Sequence, residues 1–218
     1  MVERFDLIVF DWDGTLLDSA AAIVGAIQAA SRDLGLPVPD ARRARYVIGL
    51  GLSDALAHAL PDLPAADYPR MVERYRHHYL SKDSELSLFE GTERMIAALH
   101  RRGHLLAVAT GKSRKGLDRA LSCTGLGAHF VATRCADECF SKPHPQMLHE
   151  LMEELAVPAE RTLMIGDTTH DLQMAAAAGV AAVAVSFGAH GRAELLSCAP
   201  LACVDEPRQL RQWLGVGD

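Results

Sequence analysis

Acidic residues recur in two short clusters, each directly after an apolar run. Asp11-Trp12-Asp13-Gly14-Thr15-Leu16-Leu17-Asp18 follows Leu7-Ile8-Val9-Phe10, and Gly166-Asp167-Thr168-Thr169-His170-Asp171 closes a second run at 162–166. Residues i and i+2 of extended backbone project to one side, so Asp11 and Asp13 are expected to point together. Like charges that close need a cation or a bound proton. Gly14 permits a sharp exit from the strand. A polar loop that caps the next helix accounts for Asp18 or Ser19, but not for two acids at a strand tip. Asp171 opens a helix, where a cap or first-turn role beside the positive helix end also suits it. Asp167 sits at the tip itself, where capping does not apply. Asp11, Asp13, Asp167 and Asp171 together make a hard oxygen site suited to Mg²⁺, which takes few carboxylates and keeps several waters.

Two weaker segments accompany them. Thr110-Gly111-Lys112 follows an apolar run at 105–110 and offers a hydroxyl and exposed amides to phosphoryl oxygens. Ser141-Lys142-Pro143-His144-Pro145 holds a lysine between residues whose backbone is restricted by proline. Alone, the first is an ordinary strand-ending turn and the second a solvated charge.

The elements that position these residues read as α/β. Beyond about residue 90, β-type runs at 105–110, 130–133, 162–166, 181–185 and 201–204 alternate with helical patterns at 92–102, 113–124, 145–156, 170–178 and 207–214. That rhythm predicts a Rossmann-like parallel sheet with helices on both faces, and residues 5–10 add one more buried strand. Ligands of such sheets bind beyond the carboxyl ends of the strands, where all four segments fall. Residues 16–88 break the rhythm. They show helical spacing (Ile23, Val24, Ile27, Leu34) and prolines at 37, 61, 64 and 69, but no convincing strand, and read as an inserted all-helical subdomain.

Composition narrows the partners. With 22 basic against 28 acidic residues the net charge is −6, which argues against nucleic acid and anionic membrane surfaces. No apolar run approaches a membrane span. Cys123, Cys135, Cys139, Cys198 and Cys203 contain no CxxC pair and read as reduced thiols of a cytoplasmic protein.

In order and spacing the four segments resemble the haloacid dehalogenase-like hydrolase superfamily across nearly the whole chain. The matching pattern is DxDGTLxDS at 11–19, a Ser/Thr at Thr110, a lysine before proline at Lys142, and GDxxxD at 166–171. The first and last are the specific parts; the flavour is that of the phosphoglycolate phosphatase-like branch. The resemblance implies a core of residues 1–15 and 89–218 and a helical cap of residues 16–88. It implies Asp11 as nucleophile and Asp13 as general acid and then base. Mg²⁺ would be held by Asp11, Asp167, the backbone carbonyl of Asp13, and Asp171 directly or through water. Thr110, the Gly111 amide and Lys142 would neutralise the phosphoryl oxygens. The implied partner is a small phosphorylated molecule. Dehalogenases of the superfamily lack the second aspartate, so Asp13 argues against dehalogenation.

A phosphotransferase or sugar-phosphate mutase would use the same residues. A receiver-type phospho-switch fits poorly, because its acceptor lies well into the chain. Among the remaining clusters, Arg42, Arg43 and Arg45 read as a solvated helix face and 48–52 as a cap turn facing the site. His77 and His78 read as exposed, and His170 as tuning the site or facing solvent.

Overall fold

The computed structural model describes residues 2–217. Six parallel strands, β1 Leu7–Phe10, β2 Leu105–Thr110, β3 Ala132–Cys135, β4 Thr162–Gly166, β5 Ala181–Val185 and β6 Ala202–Val204, form one sheet of order β3-β2-β1-β4-β5-β6. Before β2 come α1 Ala20–Asp33, α2 Ala41–Tyr46, α3 Leu52–Ala59, α4 Tyr68–Ser81 and α5 Thr92–Arg101. After it come α6 Arg114–Thr124, α7 Gln146–Leu155, α8 Thr169–Ala177, α9 Arg192–Leu196 and α10 Pro207–Trp213.

β1 shows why an unbroken apolar run marks a central strand. Leu7 and Val9 pack with Met147, Leu151 and Met174 on one face, while Ile8 and Phe10 pack with Met95, Ile96 and Leu210 on the other. Both faces are covered, so alternation with polar residues is lost. The chain runs outward from β1 to β3, then returns to lay β4 on the other side of β1. That reversal opens a crevice at the carboxyl ends of β1 and β4, whose last paired residues are Phe10 and Ile165.

Helices α1 to α4 bury Ile23, Ile27, Ala30, Leu56 and Met71 in a separate apolar cluster, which Ala189 joins from the sheet side. The segments that lead into and out of this block run together: Leu17 bridges Leu88, and Phe89 N donates to Leu16 O at 3.0 Å. No helix among the described residues is long and apolar enough to cross a membrane.

Strand ends shift slightly from the sequence reading, β1 beginning at Leu7 and β6 at Ala202, and three further details differ. β3 begins at Ala132, not 130, because Phe130 leaves the ladder to pack edge-on against Trp12, ring centroids 6.3 Å apart. Helix α9, five residues long, was too short to show a period. His78 is not simply exposed: its Nε2 lies 2.7 Å from Asp33 Oδ2, where Arg74 also binds, tying α4 to α1.

Candidate active site

Asp11 follows β1 at the crevice, its backbone N–H donating to Ile165 O at 2.9 Å. Its carboxylate is fully buried, and Lys142 Nζ stands 2.8 Å from Oδ1 and 2.7 Å from Asp171 Oδ1. Despite that ion pair, neither Asp11 oxygen accepts a well-aligned hydrogen bond among the described residues. Buried carboxylate oxygens left so are costly unless a ligand takes them. Asp167, after β4, is held firmly: Thr15 Oγ1 donates to Oδ1 at 2.9 Å and Ala189 N to Oδ2 at 2.7 Å.

Asp171 fills the capping role and also stands among the other acids. Its Oδ2 accepts from Thr168 N at 3.0 Å and Thr168 Oγ1 at 2.7 Å in a capping box that starts α8, while Oδ1 faces Lys142. One carboxylate oxygen each from Asp11, Asp167 and Asp171 lie within 4.8 Å of one another. Glycine makes this approach possible. A Cβ on Gly14, whose φ is +83°, would stand 2.1 Å from Asp167 Oδ2, and one on Gly188 2.3 Å from the same oxygen.

The electrostatics follow from burial. Burial pushes Asp11 well above the usual carboxylate range; Lys142 opposes this, and the charges of Asp171 and Asp167 add to it. Burial and then Asp171 push Asp167 up to about 7. Burial works against the Lys142 ammonium, yet Asp11 and Asp171 outweigh it and hold the proton more tightly than usual. Lys142 pairs with two of the three acids, and once all three ionise they carry a negative excess that a hard divalent cation would neutralise. The donor set, and the Asp11 oxygens that face Lys142 without accepting an aligned hydrogen bond, fit Mg²⁺.

Asp13 is where geometry corrects the simple i, i+2 expectation. Its carboxylate stands outside the three-acid group, with Ser19 Oγ donating to Oδ1 at 2.6 Å and Lys112 Nζ 3.0 Å from Oδ2. The backbone stops being extended after Phe10: Leu16 N and Leu17 N both donate to Trp12 O at 3.0 Å, folding 12–17 into a tight turn. Ser19 occupies the N-cap position of α1, but its hydroxyl makes no capping bond because it is spent on Asp13.

Thr110 is buried at the tip of β2, where its Oγ1 accepts from Lys112 N at 3.2 Å. The helical block closes over this edge. A Cβ on Gly111 would stand 2.4 Å from Leu50 O and 2.6 Å from Gly49 O, and Gly51 N donates to Ser141 Oγ at 2.8 Å. His170 does not face solvent. It is buried, and its Nε2 and that of His190 lie 2.8 and 3.0 Å from Tyr46 O, with the Tyr46 ring stacked on His190. Arg42, Arg43 and Arg45 are exposed, with Arg45 Nη1 reaching Gly188 O at 3.4 Å.

Sequence reasoning missed Thr15, Ser19 and Lys112 as partners of the acids, and Tyr79 and His190 altogether. Thr15 and Ser19 lie inside the first motif, and its hydroxyls were the available signal. Tyr79 and His190 carry no local signal, since each reaches the site through packing.

An acidic group and a lysine thus stand at the switch point of a parallel sheet, beneath helices inserted after the first strand. The sequence profile of the haloacid dehalogenase-like hydrolases matches residues 8–185. The chain is 39% identical over 206 residues to probable phosphatase IndB of Dickeya dadantii (strain 3937), covering 91% of this chain and 89% of that protein. It is 33% identical over 220 residues to tyrosine-protein kinase PtkA of Mycobacterium tuberculosis (strain ATCC 25618 / H37Rv), covering 98% and 74%. It is 31% identical over 198 residues to phosphoglycolate phosphatase of Aliivibrio fischeri (strain ATCC 700601 / ES114), covering 86% and 87%. The chain belongs to the haloacid dehalogenase-like hydrolase family, in its phosphoglycolate phosphatase-like branch.

Proposed function

We propose that this protein is a Mg²⁺-dependent phosphatase that cleaves small phosphate monoesters, such as a phosphoglycolate-like acid or a sugar phosphate, through a phosphorylated Asp11. The observation that carries this reading is the Asp11 carboxylate, buried and without an aligned donor, beside one lysine and two further acids. Asp11 attacks phosphorus, and Asp13 gives its proton to the departing alcohol and later takes one from water. Lys142, Thr110 and the Gly111 amide bind the phosphoryl oxygens. Asp11, Asp167, Asp171 and the Asp13 carbonyl would hold Mg²⁺, which supplies charge neutralisation between nucleophile and phosphate. Residues 16–88 serve as a cap on a core of 1–15 and 89–218, excluding bulk water over Gly111 and contacting the substrate.

Phosphate release from p-nitrophenyl phosphate tests this reading. Wild type with Mg²⁺ is expected to turn over, EDTA to stop it, and Asp11→Asn to lower kcat by about 10⁴-fold or more. Equal release in all three sinks the proposal. The likeness to a protein named a tyrosine-protein kinase favours one second reading, in which phospho-Asp11 passes its group to a hydroxyl instead of water. Product analysis separates the two: inorganic phosphate, or a new phosphate ester.

A further inference from the structure

Lys112 lies outside the phosphoryl-binding set yet touches the acid–base carboxylate. Its Nζ is 3.0 Å from Asp13 Oδ2 and donates to Tyr79 Oη at 2.9 Å, with the Tyr79 ring centroid 4.8 Å away. Tyr79 belongs to α4 of the helical block, so core and block meet at this ammonium. Ser19 already donates to Asp13 Oδ1. Oδ2, which faces Lys112 and not Ser19, is then the oxygen that passes a proton to the departing group, and a proton in flight requires that group within hydrogen-bond reach of Oδ2. Whatever oxygen leaves phosphorus must come to rest beside Lys112.

An ammonium has three donors. Tyr79 accepts from one and Asp13 Oδ2 lies at ion-pair distance, so at least one donor has no partner among the described residues. The side chain is largely enclosed, with 12% exposure, which strengthens its field over that of a solvated lysine. The Tyr79 hydroxyl, bonded to Lys112, adds a second dipole at the same place.

We propose that Lys112, oriented by Tyr79, is a catalytic residue that stabilises the charge developing on the departing alcohol oxygen. This rests on the phosphatase reading above and adds a function for a residue outside its phosphoryl-binding set. In the step concerned, an Asp11 oxygen bonds to phosphorus as the ester P–O bond breaks. The bonding pair goes to the alcohol oxygen, which receives the Asp13 proton. Lys112 keeps all its protons and supplies only charge. It therefore serves poor leaving groups, such as alkyl alcohols, far more than good ones such as p-nitrophenol.

The test is kcat/KM for wild type and Lys112→Met, with Mg²⁺, across phosphate monoesters graded from p-nitrophenyl to alkyl. The variant is expected to lose about 100-fold on alkyl esters and about threefold or less on p-nitrophenyl phosphate, steepening the dependence on leaving-group pKa. Lys112→Arg should restore the wild-type slope, and Tyr79→Phe should steepen it slightly. A uniform loss across the series, or no loss, overturns the inference while leaving the phosphatase reading intact. If wild type releases phosphate from no member, both fall. Should Lys112→Met not fold, Lys112→Gln in the same series decides by the same criterion.

Discussion

Asp11 and Asp13 are two residues apart but occupy opposite kinds of environment. The Asp11 side is the dry one, its parts all buried from solvent: Asp167 after β4, Asp171 in the first turn of α8, and Lys142 from the loop between β3 and α7. The Asp13 side is made of a serine, a partly exposed lysine and a tyrosine delivered by the helical block. The first side is an electrostatic problem that a cation would complete. In the proposed mechanism the second is a proton-transfer post whose surroundings depend on how the block docks. There a nucleophile needs rigid placement, whereas an acid–base group must meet a departing molecule of variable shape, so the proposal puts selectivity on the side the block reaches.

Breaking the dry side should have the largest effect. Lys142→Met leaves three buried acids with no internal counter-charge. It should lower kcat by about 10³-fold and, in metal-free protein, destabilise the fold by about 3 kcal/mol in urea titration. A variant as stable and as active as wild type would mean that the ammonium is not what holds the acids together.

A pH series on metal-free protein sharpens the same side. Asp167 ionises near 7 in the fold but near 3.8 when unfolded, so between those values the native state holds the extra proton. Stability should therefore fall as pH rises from about 4 to 7 and level off above. Saturating Mg²⁺ should flatten that slope, and Mg²⁺ affinity, by calorimetry, should climb over the same interval as the competing proton leaves. A metal-free stability that rises through this window would contradict the account of the dry pocket.

The smallest effect belongs to the wetter side. Ser19→Ala removes one hydrogen bond from Asp13 and no packing of note, so a stability loss of about 1 kcal/mol is expected in thermal melts. The drop in kcat should be about tenfold, with KM little changed, because Asp13 loses orientation and not the phosphate. Loss of folding would show that Ser19 serves helix α1 first and Asp13 second.

Much of this was legible in the chain. The runs at 105–110, 162–166 and 181–185 are strands over those same residues, because a doubly covered strand has to be apolar throughout. The acids announce themselves by standing directly after such runs, where sheet geometry collects them at one edge. Phe130 misled for the complementary reason: an aromatic with high strand propensity was used as a packing piece against Trp12.

Residue order and type determined that a parallel sheet with polar, acidic strand ends would form, since burial and periodicity are local properties of the chain. Tertiary structure alone decided that Asp13 turns from the other acids towards Lys112, and that Tyr79 and His190 arrive from distant segments. Those choices depend on which side chains meet after the helices dock, and contacts between residues dozens of positions apart leave no spacing to read.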